Sequence, residues 1–217
     1  MARVVKKSEE RKEEFLNIAI KLFLQKGYEN TSVKDVYAEA NGSFGMFYHH
    51  FKSKEELFGG AMDKFTKLFM DGFSAILCDE KICFEKRYRA AIMRLIEFLN
   101  GRDKVCGYER GEIDVSVFRL LSLKILSESI PSVELYLEEG MKKNAIHTND
   151  VHQAAVFITY GIYGILREGG LRTSSNKNAL LLLSKLSDLM AKALDSDPAM
   201  FKIEISDTEV KENEGGS

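Results

Sequence analysis

Tryptophan is absent from this chain of 217 residues, and proline occurs only at positions 131 and 198. Proline removes a backbone donor and clashes with the preceding turn of a helix, so its scarcity leaves room for long, uninterrupted helices. Cysteine is sparse too. Cys78, Cys83 and Cys106 are odd in number and contain no CxxC pair, which argues against a disulfide framework or a thiolate zinc site and suits a reducing compartment. His147 and His152 are five apart across a helix start, a spacing that does not place two imidazoles on one helix face. HExxH, GxSxG and a glycine-rich phosphate loop are all missing. Catalysis has no visible seat, so no enzyme activity, metal or cofactor is expected. The most apolar stretch, LLLLSKLSDLM at 180–190, is broken by Lys185 and Asp188 and is too short to span a bilayer. No signal-like segment opens the chain, and a cytoplasmic protein with no membrane partner is the expectation.

A large charge of one sign is also missing. The net charge of −2 excludes a chain whose overall field drives it onto nucleic acid. Its distribution is uneven, however. Residues 1–55 hold ten Lys and Arg against eight Asp and Glu, whereas residues 56–217 hold 21 against 25. The small positive surplus lies in the N-terminal quarter, so any phosphate contact there depends on local placement. With 45% hydrophobic and 29% charged residues, the rest is ordinary for a globular protein of one or two domains.

Residues 31–51, TSVKDVYAEANGSFGMFYHHF, carry the most information. Ser32 with Asp35 three residues on is a capping-box pattern that opens a helix. Val36 and Ala40 share one face of it, and Asn41-Gly42 supplies residues that tolerate the left-handed conformation of a helix end. Ser43 can cap a second short helix in which Phe47 and Phe51 face inward, leaving Phe44, Gly45, Met46, Tyr48 and His49 off the buried stripe. Two short helices joined by a tight turn read as a helix-turn-helix. Upstream, Phe15, Ile18, Ala19, Leu22 and Phe23 form a helical stripe closed by Gly27. Downstream, Ser53-Lys54-Glu55-Glu56-Leu57 is a second capping box, opening a long helix to about Leu77 with apolar positions Leu57, Phe58, Ala61, Met62, Phe65, Leu68 and Phe69.

Residues of about 8–68, with their GY, TS, G-x-x-Y-x-x-F and SKEEL elements in order, resemble the N-terminal DNA-binding domain of the TetR family of transcriptional regulators. Where that family usually has Ala-Gly and an aliphatic residue at the turn, this chain has Ala40-Asn41-Gly42, and Phe44 and Met46 stand where polar base readers are common. The resemblance implies double-stranded DNA, as a palindromic operator, for a partner. On the residues themselves, Tyr48 and His49 suit phosphate contacts. Lys54 in the first turn of the connecting helix makes a phosphate clamp, with Thr31 and Ser32 doing the same at the first motif helix. Lys34 is a further candidate for phosphate or base, and Phe44 or Met46 could meet a thymine methyl.

The remaining chain reads as helices over 82–100, 112–129, 151–168 and 176–195, with Pro131 either kinking the helix that begins at 112 or starting another. The expected fold is all-α. A three-helix head at 8–68 follows a basic tail at 1–7, and a connecting helix joins it to a helical bundle at 69–199. An acidic, flexible tail from 200 onward closes the chain, its Met200-Phe201-Lys202-Ile203 cluster alone being able to dock. The connecting helix is the only mechanical link evident between the halves. Family resemblance implies a homodimer built on the last two long helices. Ala154, Ile158, Gly161 and Ile165 supply one face, and Leu182, Leu186 and Leu189 lie in the apolar band of the other. It also implies a small-molecule effector pocket, for which Phe84, Tyr88, Phe118, Tyr136, Tyr160 and Tyr163 are candidates, although aromatics at helical spacing equally serve as plain core. The competing readings are a helical sensor whose head has lost sequence-specific DNA binding and an all-α enzyme.

Overall fold

A computed structural model describes residues 8–99, 114–168 and 186–201, and among them every regular element is helical. The helices are α1 (Ser8–Lys26), α2 (Val33–Glu39), α3 (Phe44–His50), α4 (Lys54–Leu77), α5 (Phe84–Leu99), α6 (Val115–Lys142) and α7 (Val151–Glu168). Residues 186–193 are helical and a 3₁₀ turn follows at Pro198–Met200. The basic stretch 1–7 and Leu182 lie outside the described residues.

The chain divides into two compact units, residues 1–69 with 104–125 and residues 70–103 with 126–217. In the first, Phe15, Phe23, Leu24, Phe47 and Leu57 are fully buried. The edges of Phe47 and Phe51 meet the Phe15 ring with centroids 5.8 and 6.3 Å apart, and Phe58 meets Phe23 edge-on at 5.0 Å. These edge-to-face pairs fix the mutual angles of α1, α3 and α4 beyond what burial alone does. Leu68, assigned by spacing to the packed face of α4, is instead exposed, while its neighbour Thr66 is fully buried. The inward stripe here runs Met62, Phe65, Thr66, Phe69, and Leu68 falls off it by about 100°.

The same unit holds the start of α6. Asp114 caps that helix, accepting from the amides of Ser116 and Val117 at 3.0 and 3.1 Å, while its own amide donates to the Leu24 carbonyl at 2.8 Å. Lys124 pairs with Asp63 at 3.1 Å. Both α4 and α6 therefore run from the first unit into the second, which corrects the expectation of a single link. Helix α6 also continues through Pro131. The donor lost there is worth about 3 kcal/mol in an isolated helix, and burial of Ser129, Ser132, Tyr136 and Leu137 on the same helix offsets it.

In the second unit Phe84 stacks on Tyr136 with centroids 4.4 Å apart, and Arg87, buried, bonds Glu139 at 2.7 Å. Asp150 caps α7, accepting from the Gln153 amide at 2.9 Å. Met200 and Phe201 are packed rather than free, correcting the start of the expected tail. The Phe201 carbonyl accepts from the Ser187 hydroxyl at 2.7 Å, and its ring meets Tyr88 edge-on at 5.1 Å. An aromatic ring of that size repays the ordering of the chain that carries it.

Candidate nucleic-acid interface

The turn between α2 and α3 is built as its residues dictate. Ser32 accepts from the Asp35 amide at 3.2 Å, and the Asp35 carboxylate accepts from the Ser32 amide at 2.8 Å. The Ser32 hydroxyl also holds the Asp35 pKa below the usual carboxylate range. At the other end, Asn41 takes φ +50, its amide donates to Ala38, and the Gly42 amide donates to Tyr37 at 2.7 Å. That pair of bonds is a Schellman motif, which satisfies carbonyls the helix leaves open. Arg11 of α1 donates to the Ala40 carbonyl at 3.1 Å and anchors the turn.

From this platform α3 presents Phe44, Gly45, Tyr48 and His49 outward. Phe44 is 63% exposed and leans on Tyr48, itself 43% exposed, with ring centroids 4.4 Å apart. Nothing lies within 4 Å of the point where a Gly45 Cβ would stand. Met46 is half-buried, and its sulfur would lie 3.5 Å from a Cβ at Gly42. The thioether thus fills space beside the glycine that replaces an aliphatic turn residue. Ser43 is exposed and caps α3 through the Met46 amide; Ser32 and Lys34 are exposed on α2.

Thr31 is a correction. It is 1% exposed, and its hydroxyl donates to the Gly27 carbonyl at 2.8 Å and to Leu22 at 3.3 Å. The side chain closes the end of α1 and has neither surface nor donor left for a phosphate. Lys54 fares differently. Its ammonium sits 4.1 Å above the Tyr28 ring, and the Tyr28 hydroxyl donates to Glu55 at 2.8 Å. A cation held by a ring face keeps donors available, so Tyr28, legible in the sequence only as part of a motif, positions Lys54 at the start of α4. One arm of the capping box there is formed in register, the Glu56 amide donating to the Ser53 hydroxyl at 3.2 Å, while the Glu56 carboxylate accepts from the Lys52 amide at 2.6 Å, one residue before the cap. His50 was not singled out by spacing. Burial against Phe15 lowers its pKa, and His49 and Lys12 push the same way.

Gly45 provides a test with opposed signs. Gly45→Ala should raise thermal stability by about 0.4–1 kcal/mol, because alanine restricts the unfolded chain and meets no atom in the fold. The same methyl should lower DNA affinity several-fold if the duplex closes on this surface. A variant that gains both stability and affinity would take Gly45 off the interface.

The family profile described as "Bacterial regulatory proteins, tetR family" matches residues 15–61, the segment that builds this platform. This head belongs to the TetR family. The chain is 28% identical over 127 residues to the HTH-type transcriptional repressor DhaR of Mycobacterium sp. (strain GP1), covering 58% of this chain and 64% of that protein. It is 35% identical over 71 residues to the HTH-type transcriptional repressor KstR2 of Mycobacterium tuberculosis, covering 33% and 34%. The chain thus spans less than two thirds of either relative. Its fold matches a TetR-family regulator from Mesorhizobium loti with a TM-score of 0.60 at 22% identity, covering 87% of this chain and 96% of that one.

Behind the TetR-type head, the remaining site expectations need revision. Phe84, Tyr88 and Tyr136 are buried and packed against neighbours, with the Tyr88 hydroxyl on the Met190 sulfur at 3.0 Å. Burial pushes the pKa of both phenols well up. Phe118 falls in the first unit, Tyr163 is half-buried and Tyr160 is exposed. None of the six lines the cleft found in the second unit. That cleft, of about 620 Å³, is lined instead by residues of 147–158 and 193–195, His147, Gln153 and Phe157 among them. On α7, Ile158 packs in the chain's own core with Ala155, Thr159 and Ile162, and so does Leu186. The open face is turned by one residue. It carries Phe157, Tyr160, Gly161 and Gly164, with Ala154 and Ile165 half-exposed beside it and Leu189 exposed on the last helix. Their i, i+3, i+4, i+7 spacing is in the sequence, but periodicity does not say which of two apolar faces turns inward. No helix among the described residues is long and apolar enough to cross a membrane, and no group of three or more His, Cys, Asp or Glu there could hold a metal.

Proposed function

We propose that this chain is a non-enzymatic, homodimeric transcriptional regulator of the cytoplasm that represses from a palindromic operator and is released by a small-molecule effector. The observation that carries the reading is α3 itself, exposed and rigidly seated, with Lys54 fixed by Tyr28 at the neighbouring helix start. Ser32, Lys34, Ser43, Tyr48 and His49 supply further phosphate contacts around it. One such head contacts too little DNA to be selective, and a two-fold dimer presenting two α3 helices about 34–36 Å apart meets two half-sites. The open α7 face with Gly161 and Gly164 supports that pairing, since small residues admit a partner helix closely. Effector binding would act by favouring a conformer whose heads miss that spacing, with α4 and α6 as the helices common to both units. A sensor with little sequence-specific DNA binding is the second reading, favoured by an α3 that has no Lys, Arg, Asn or Gln.

Lys54→Ala tests the interface. It should weaken binding to specific and random duplexes alike. The slope of log K against log salt should fall by about 0.9 for each phosphate that each subunit no longer neutralises. An unchanged slope in a folded variant removes Lys54 from the DNA-facing surface.

A further inference from the structure

Sequence is read in the major groove by the N-terminal residues of a recognition helix, and α3 begins with Phe44 and Gly45. The chemistry available there is narrow. From Phe44 to His50 the helix contains no guanidinium, ammonium, carboxamide or carboxylate. It can form neither the bidentate pair of Arg or Lys with guanine nor that of Asn or Gln with adenine, and it has no carboxylate to accept from cytosine. Of its two candidate apolar readers, Phe44 and Met46, the second is drawn back towards Gly42 and half-buried, and Gly45 between them offers no side chain. Phe44 remains, 63% exposed, its ring braced at 4.4 Å against Tyr48 one turn on, so that it stands off the helix as a stiff apolar plate. The feature of a base pair that such a plate recognises in the major groove is the C5 methyl of thymine.

Resting on the regulator reading, we infer that Phe44 sets operator specificity by packing on thymine methyl groups, and that each half-site carries thymine opposite the start of α3. Tyr48 acts as a positioning residue for the Phe44 ring. The polar groups around it, His49 on α3 and Lys34 on α2, hold the backbone and leave the identity of that base pair to the methyl contact.

The test uses the full chain and a duplex selected by it from a random pool. Thymines in the selected site are then replaced one at a time by deoxyuridine, which keeps pairing and removes only the methyl. Wild type should lose roughly fourfold in affinity at one or two positions per half-site, and about sixteenfold when symmetric positions in both are changed, as expected for one buried methyl each. Phe44→Ala should bind the thymine and uracil duplexes equally and keep the wild-type salt slope, whereas Phe44→Leu should retain part of the discrimination. Tyr48→Ala, checked for folding by circular dichroism, should reduce the discrimination as well as the affinity. A selected site that tolerates uracil everywhere, or a Phe44→Ala variant that still distinguishes the two duplexes, overturns the inference and leaves the regulator reading standing. A pool from which no sequence is enriched overturns both.

Discussion

Gly27→Ala is expected to destabilise the first unit by about 1.5–4 kcal/mol. Two effects add. Gly27 holds φ at +81, where a Cβ costs roughly 1–2 kcal/mol. That Cβ would also lie 2.7 Å from a carboxylate oxygen of Asp114, and the carboxylate cannot retreat freely because it caps α6 through Ser116 and Val117. Losing an N-cap costs about 0.5–2 kcal/mol. Asp114→Ala alone should cost only that second amount. The double variant should then be less destabilised than the sum of the two, since removing the carboxylate relieves the collision, a coupling expected between groups that touch. Amide hydrogen exchange in α1 and at the start of α6 would read the loss locally. If the two substitutions prove additive, the close approach of Gly27 and Asp114 has no energetic weight and the clasp between α1 and α6 is wrong.

Gly27 and Asp114 also mark where the sequence stops being informative. That a glycine ends α1 follows from local backbone preference. Nothing local says that a residue 87 positions later will cover it, because the partner is chosen by tertiary packing. The helix-turn-helix was legible in detail for the opposite reason. Ser32 with Asp35, Asn41 before Gly42, and Phe47 four before Phe51 are each decided within one or two turns of chain, and the structure realises each as written. Thr31 lay at the limit. Its place before a capping serine was clear, but a threonine hydroxyl can serve a carbonyl of the preceding helix as readily as a phosphate, and the fold put both Leu22 and Gly27 within reach. Pro131 was left open for another reason, since local preference allows either a kink or a new start there, and the burial of residues on both sides of it carries α6 onward. The aromatic candidates for an effector pocket were the least legible. Phe84 and Tyr136 satisfy each other by stacking, and composition cannot distinguish rings that face one another from rings that face a cavity.

The largest functional effect is expected from Phe157→Glu. Phe157 is 60% exposed in the single chain, so a carboxylate there stays solvated and should leave helix content and the thermal transition of the isolated subunit nearly unchanged. In the proposed dimer the same position turns towards the partner's α7, across a face kept open by Gly161 and Gly164. Pairing by a two-fold axis would bring both glutamates into the interface, where an uncompensated charge costs several kcal/mol. A loss of about 3 kcal/mol is enough to weaken dimerisation by more than a hundredfold, and a monomer engages only one half-site. Operator affinity should therefore fall by about two orders of magnitude or more, while non-specific binding, which depends on the phosphate contacts of a single head, should change far less. Gly161→Ala, which adds one methyl to open space, would give a smaller effect in the same direction if the helices approach closely there. Sedimentation and operator titration on the same preparation provide the check. A Phe157→Glu protein that still sediments as a dimer and binds the full operator at wild-type affinity would move the subunit interface away from this face of α7, whatever its effect on the fold.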